Sequence, residues 1–229
     1  LQPDDAKDFA SVGDARYSDV SFINQGDFYS NTLFLLKNDG KEKIKIYSSD
    51  KYRAAPNAIG EKIYIRTNHE APNFKLMVAD MDKPTFDDWK VLYPEKKSVL
   101  VDYTVTEKYL FIVAQQDVLG KLFKYTLDGK MIEEVELPEL GDVGSVSYHR
   151  ETQTLLVSLN TFFSPGKLYE LNEDDNSWSL FYEQESPLNT DNLEAKIEFV
   201  DAYDGKKIPV FIIHRKDIKL DGSNPVLLT

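Results

Sequence analysis

The sequence predicts an all-β fold, a partial β-propeller of about four four-stranded antiparallel blades followed by a β-hairpin. Three observations predict it. A strand carrying the same Leu-led pair recurs at near-constant spacing, short β-rich runs alternate with tight turns, and no long helical pattern competes. The pairs are Leu33-Phe34, Leu76-Met77, Leu122-Phe123 and Leu168-Tyr169, with 43, 46 and 46 residues between successive leucines. Four antiparallel strands every ~40–50 residues is the period of a propeller blade.

Upstream of each pair lies a second β-rich run: Tyr17–Ile23, Lys62–Thr67, Tyr109–Ala114 and Thr154–Leu159. Downstream comes a turn and a further strand. Asn38-Asp39-Gly40 and Leu127-Asp128-Gly129 are hairpin signals, because Gly tolerates the positive φ of a type I′ turn. The outer strands echo each other, Trp89-Lys-Val-Leu-Tyr93 beside Trp178-Ser-Leu-Phe-Tyr182. The third unit reads most clearly, as strands Val99–Val105, Lys108–Gln115, Gly120–Leu127 and Met131–Leu137. A meandering sandwich also has short, regularly spaced strands, but recurrence of one pair at one interval favours the propeller. Residues 8–183 are therefore expected to form successive stacked sheets, with under about a tenth of them helical. Leu33, Leu76, Leu122 and Leu168 are expected at equivalent buried positions.

From about Leu193 the repeat breaks. Ala195–Tyr203, Asp204-Gly205 and Lys206–Arg215 read as one long hairpin. Its second strand holds Ile208, Val210, Phe211, Ile212 and Ile213, and apolar residues at consecutive positions point to both faces. Val226-Leu227-Leu228 reads as another buried strand. This divides the chain into blades over 1–192 and the start of a second domain over 193–229.

Composition narrows the function. The 229 residues are 41% hydrophobic and 12% aromatic, which suits one or two domains with a real core. A net charge of −12 without a basic cluster argues against nucleic-acid binding. No run approaches the ~18 apolar residues of a membrane helix, so no membrane partner is expected. The absence of Cys excludes disulfides, thiolate metal sites and Cys nucleophiles. The sequence starts at Leu1 rather than Met, and the native N-terminus is expected to lie outside it. Localisation reads as cytoplasmic, with periplasmic and secreted locations open.

Catalytic candidates fail one by one. The Gly-x-Ser-x-Gly elbow needs glycines four positions apart, and none of the 11 glycines satisfies this. Gly144-Ser145 and Gly222-Ser223 read as turns. His69, His149 and His214 are the available imidazole bases, each read as structural or exposed. His69-Glu70 lacks the second His of a zincin. The acidic stretches Asp80, Asp82, Asp87, Asp88 and Glu173-Asp174-Asp175 lack the spaced carboxylates and Gly of a Ca²⁺ loop and read as solvated turns. No cofactor and no metal site is expected. One loop, Asn24-Gln-Gly-Asp27, follows the second strand of the first unit, where a propeller loop faces either the channel or a partner domain.

The tail carries a specific resemblance. Asp204-Gly-Lys-Lys-Ile-Pro-Val-Phe-Ile-Ile-His214 and Leu220-Asp-Gly-Ser-Asn-Pro-Val-Leu-Leu228 resemble the first strands of the hydrolase domain of prolyl oligopeptidases. Thr67-Asn-His-Glu-Ala-Pro-Asn73, Trp89-Lys-Val-Leu-Tyr-Pro-Glu95 and Phe163-Ser-Pro-Gly-Lys-Leu-Tyr169 are similar to late propeller blades of that family. The resemblance implies a serine peptidase that cleaves short peptides after proline, with a seven-bladed propeller capping an α/β-hydrolase domain. The chain would be the C-terminal half of the propeller plus the start of the hydrolase domain, with the Ser, Asp and His downstream of Thr229. Its partners would be a proline-containing peptide and the missing remainder of both domains. The resemblance also implies that the loop at Asn24 contacts substrate: Gly26 and Asn31 match the family pattern, while Asn24 stands where the family has a basic residue. Two alternatives stay open, a standalone propeller that binds proteins and a catalytically dead relative.

Overall fold

Short β-rich runs separated by turns pair with their nearest neighbours in sequence, which gives a string of up-and-down sheets. The computed structural model describes residues 8–37, 40, 42–116, 118–164, 166–185, 187 and 189–228. The first sheet comprises β1 (Phe9–Asp14), β2 (Val20–Gly26), β3 (Asn31–Lys37) and β4 (Lys43–Ser48). The second comprises β5 (Ala54–Ile59), β6 (Lys62–Thr67), β7 (Lys75–Asp80) and β8 (Lys90–Tyr93). The third comprises β9 (Val99–Val105), β10 (Tyr109–Gln116), β11 (Leu119–Thr126) and β12 (Met131–Val135). The fourth comprises β13 (Asp142–His149), β14 (Thr154–Asn160), β15 (Lys167–Leu171) and β16 (Trp178–Glu183). A two-stranded sheet, β17 (Leu193–Asp201) with β18 (Lys207–Arg215), follows. Among the described residues the helical content is one 3₁₀ turn at Phe86–Asp88.

The chain groups into two compact units, Leu1–Leu100 and Val101–Thr229. In the first unit, Leu33, Leu35, Ile46 and Tyr47 of the first sheet pack against Ile63, Ile65 and Met77 of the second and against Trp89 just before β8. In the second unit, Phe111, Val113, Leu122 and Val135 of the third sheet pack against Val146, Leu155, Val157 and Leu159 of the fourth.

The recurrent leucines all sit on the third strand of their sheets. Each faces the same fourth-strand position, Leu33 opposite Tyr47, Leu76 opposite Tyr93, Leu122 opposite Val135 and Leu168 opposite Tyr182. In three sheets a β-bulge falls immediately after the leucine, between the two members of the recurrent pair. In the third sheet it falls two residues later, between Lys124 and Tyr125. A bulge places two residues opposite one, so Ile46-Tyr47 and Leu92-Tyr93 supply adjacent buried side chains from one strand.

One expectation needs correction. Leu33, Leu76 and Leu122 are fully buried, but Leu168 is only half-buried. In the first and third sheets the leucine position points into the core shared with the sheet that follows. Among the described residues no four-stranded sheet follows the fourth, and Phe181 and Tyr182 stay 59% exposed.

Other differences are local. The second strand of the first sheet starts at Val20, because Tyr17 makes an isolated parallel bridge to Ile59 instead. The third unit's final strand stops at Val135, short of Leu137. In the Leu127-Asp128-Gly129 loop only Gly129 takes a positive φ, +86°. This is a three-residue hairpin closed by a left-handed glycine, where type I′ needs two such residues. Gly40 has φ +70° and donates to Lys37 O, while Asn38 and Asp39 of that expected turn lie outside the described residues.

Truncation of the leucines measures the one-sided cover. Leu33→Ala and Leu122→Ala should each lower stability by roughly 3–5 kcal/mol, and Leu168→Ala by no more than about 2 kcal/mol. Urea unfolding followed by tryptophan fluorescence checks this, and equal losses at all three would remove the distinction.

Candidate functional site

The loop joining β2 to β3 is built by three residues with separate tasks. Gly26 ends β2 where a Cβ would lie 2.3 Å from Ser30 O and 2.7 Å from Asn31 Cα, so no larger residue fits without moving the chain. Asp27 then closes the turn. Its Oδ1 accepts from Tyr29 N and Ser30 N, both at 2.8 Å, and from Ser30 Oγ at 3.1 Å. An aspartate that caps its own turn in this way rigidifies it. The turn leaves Phe28 and Tyr29 each 78% exposed at its tip. Phe28 is steadied by an edge-on contact with Phe9 at 5.7 Å, and its carbonyl accepts from Arg53 at 3.2 Å.

Asn31 anchors the other end. Its Nδ2 donates to Ala54 O at 2.8 Å, and its Oδ1 accepts from Ala54 N at 2.9 Å. The side chain thus mimics a strand backbone and clamps the first sheet to the first residue of β5. Its second Nδ2 hydrogen goes to Asn24 Oδ1 at 2.7 Å.

The structure therefore brings all three candidate residues together in unequal roles. Asn31 is buried with its amide committed to the fold, Gly26 is a steric necessity, and Asn24 is half-buried beside them. The exposed pair Phe28-Tyr29 escaped the sequence reading. Its signal was present as two consecutive aromatics inside a turn, where neither has a core to enter.

The other candidates resolve into structural parts. His69 belongs to an aromatic cluster in which Tyr47 stacks on Trp89 at 5.4 Å and Phe86 tilts against the imidazole at 4.7 Å. The Tyr47 hydroxyl lies 3.0 Å from His69 Nδ1, and burial pushes that tyrosine above the usual range. His149 Nδ1 bonds Thr152 Oγ1 at 2.8 Å, and His214 Nδ1 bonds Arg215 O at 2.8 Å. Ser145 pairs with Ser158 across the fourth sheet at 2.9 Å. Asp80 pairs with Lys62, whose ammonium holds the carboxyl below its ordinary range. Asp174 takes Lys108 on both oxygens at 2.8 Å. Among the described residues no group of three or more His, Asp or Glu could hold a metal ion.

The clamp predicts its own cost. Asn31→Leu leaves Ala54 N–H and C=O unpaired in a buried junction and should destabilise the propeller by roughly 2–6 kcal/mol. Thermal unfolding of the variant checks this, and a loss under about 0.5 kcal/mol, the range of an ordinary surface change, would mean water replaces the clamp.

With the sheets and loop described, relatives can be compared. Prolyl endopeptidase of Elizabethkingia meningoseptica is 25% identical over 217 residues, covering 94% of this chain and 30% of that protein. Prolyl oligopeptidase A of Galerina marginata is 29% identical over 173 residues, covering 73% of this chain and 23% of that protein. The chain thus spans under a third of the length of the curated relatives it matches. Among solved structures, apo prolyl oligopeptidase B from Galerina marginata superposes with a TM-score of 0.78 at 21% identity, over 94% of this chain and 32% of that one. Oligopeptidase B from Trypanosoma brucei, in a closed form with covalently bound antipain, gives 0.75 at 19% identity, over 97% and 34%. Both structural likenesses bear on the fold. The family described as prolyl oligopeptidase, N-terminal β-propeller domain, matches residues 11–184, which take in almost all of the four sheets. The chain belongs to that family, and its four-stranded sheets are blades of a prolyl oligopeptidase propeller.

Proposed function

We propose that the full-length protein is a serine endopeptidase that cleaves short peptides after proline, and that this part of it gates and orients the peptide. The observation that carries the reading is the family match over 11–184 on a chain folded as successive four-stranded blades. The relatives it matches include prolyl endopeptidases and prolyl oligopeptidases. A relative's structure holds a 35-residue hydrolysis and macrocyclization substrate, which supports a peptide as the ligand class.

The division of labour follows from the residues. Activating a serine needs an imidazole within hydrogen-bond reach and a carboxylate to orient it. In this reading those groups belong to a hydrolase domain downstream of Thr229, and residues 193–229 are its first strands. The tail supports that assignment. Ile208 and Ile213 remain about half exposed, at 48% and 49%, and Val226, Leu227 and Leu228 are almost fully exposed. The expected strand at Val226–Leu228 is not formed, whereas β18 is apolar at consecutive positions, and an apolar strand of this kind expects cover on both faces. The loop from Asn24 to Asn31 contributes peptide contacts, with Asn24 replacing the family's basic residue and the Phe28-Tyr29 pair offering two aromatic faces.

Hydrolysis of a fluorogenic proline peptide by the full-length protein tests the proposal. Turnover is expected after proline only, to be abolished by a serine-directed covalent inhibitor, and to be absent from the 229-residue chain alone. Turnover that survives the inhibitor would sink the serine mechanism. An intact protein that binds the peptide and never cleaves it would favour the catalytically dead alternative.

A further inference from the structure

A cleft of 260 Å³ lies between the first strands of the first two sheets, β1 and β5. Its lining includes Asp14, Phe22, Asn24, Leu33, Arg53 and Asn57. It is smaller than the roughly 300–1,000 Å³ of a site that engulfs a drug-sized ligand. It suits one or two residues of a longer chain.

The polar groups around it are oriented by the fold. Ala54 offers one donor and one acceptor to Asn31, so the Asn31 amide can sit only one way round. Asn31 Nδ2 must then donate to Asn24 Oδ1, which fixes the second amide in turn. Asn24 is left with its Nδ2 as a double donor that has no partner among the described residues. Arg53 is held at both ends of its peptide, N donating to Asn68 Oδ1 at 2.7 Å and O accepting from Thr67 Oγ1 at 2.7 Å. Among the described residues only one of its terminal nitrogens is engaged, with Phe28 O. On the β1 side, Asp14 accepts Ser21 Oγ on Oδ1 at 2.6 Å and keeps its other oxygen. Phe22, with 8% of its surface accessible, and the half-buried Pro56 form an apolar floor.

The cleft therefore presents two sets of donors, one acceptor and a greasy base. A secondary peptide unit carries the complementary groups, a carbonyl oxygen, an N–H and a side chain. We infer that this cleft binds an internal peptide unit of the substrate, its carbonyl held by Asn24 and Arg53, its N–H by Asp14, and an apolar side chain on Phe22 and Pro56. Arg53 and Asn24 are thereby residues that set affinity for the peptide at a distance from the scissile bond. The inference rests on the peptide-directed reading proposed above.

Two substitutions separate it from a structural role. Asn24→Asp keeps the oxygen that Asn31 needs and turns the free donor into an acceptor. Arg53→Ala removes the cation, and Arg53→Lys restores the charge. Each is made in the full-length protein and tested on matched proline-containing octapeptides of apolar sequence, with free and with amidated C-termini. Binding is measured by fluorescence anisotropy, and KM and kcat by hydrolysis. Asn24→Asp and Arg53→Ala should each weaken binding and raise KM about tenfold or more, equally for both peptide ends. The kcat should be unchanged, and Arg53→Lys should recover part of the loss. Normal Kd and KM in both variants, with wild-type melting temperature, would overturn the inference and leave the peptidase reading intact. An effect confined to the free-acid peptide would overturn the internal placement in favour of a terminal carboxylate. Binding that responds to both variants without any turnover would sustain the cleft and sink the peptidase.

Discussion

A four-stranded sheet has two faces, and this fold is organised by the need to cover the one that carries the recurrent leucine. Leu33 and Leu122 each point into the core shared with the next sheet, beside the fourth-strand residues Tyr47 and Val135. Fully burying a side chain of this size is worth roughly 1.5–3 kcal/mol, so each covered face contributes several such terms at once. The bulge after the leucine raises the return, because it turns two successive residues of the outer strand inward. Ile46-Tyr47 uses this fully, and the same device in the fourth sheet leaves Phe181-Tyr182 in solvent. Identical local geometry thus gives a core in one blade and an open face in another. The difference lies in the neighbour.

The same register position that sets the core also sets the rim. Two residues before Leu33 stands Asn31, whose side chain grips the backbone of Ala54 at the head of β5. Two residues before Leu122 stands Gly120, whose N–H donates at 2.6 Å to the side chain of Asp142 at the head of β13. The two junctions exchange roles, side chain to backbone in one unit and backbone to side chain in the other, yet tie the same points. Rigid junctions of this kind let the adjoining loops differ freely. In the first sheet the loop lifts Phe28 and Tyr29 into solvent. In the fourth, the corresponding loop sends Phe162 against Phe211 of the hairpin, 4.8 Å away.

This explains what could be read from the residues alone. The leucine pairs were legible because the core position demands an apolar residue at every repeat. The strands nearest them were placed to within a few residues, and Lys62–Thr67 and Val99–Val105 without error. The bulges were not legible, since they are a matter of pairing and leave no mark on a single strand. Asn31 reads from the sequence as a substrate-contact candidate, and its clamp on Ala54 was not legible because a polar side chain at a strand edge gives no hint of a partner 23 residues away. Tyr17 reads as strand by propensity, and forms a lone bridge to Ile59 because the Asp14–Val20 turn intervenes. The half-burial of Leu168 had no signature at all, for its sequence matches that of its buried counterparts.

The hairpin obeys different physics from the blades. Each blade has four strands and closes its pairing within about 40 residues, so its stability is largely local apart from the faces it shares. The hairpin has nine paired positions, from Leu193 opposite Arg215 to Asp201 opposite Lys207, and among the described residues no third strand. A lone two-stranded ribbon is marginal in water and leaves two open edges. Its charges follow the same logic: Lys207 pairs with Asp201 and Arg215 with Asp217, all on the surface, where such pairs add little. Phe211 of the hairpin meets Phe162 with ring centroids 4.8 Å apart, and just before the hairpin Thr190 Oγ1 donates to Phe163 O at 3.4 Å. Within each unit the blade cores are covered by the neighbouring sheet, whereas the hairpin's apolar strand keeps Ile208 and Ile213 about half exposed, so the same kind of side chain meets protein in one element and solvent in the other.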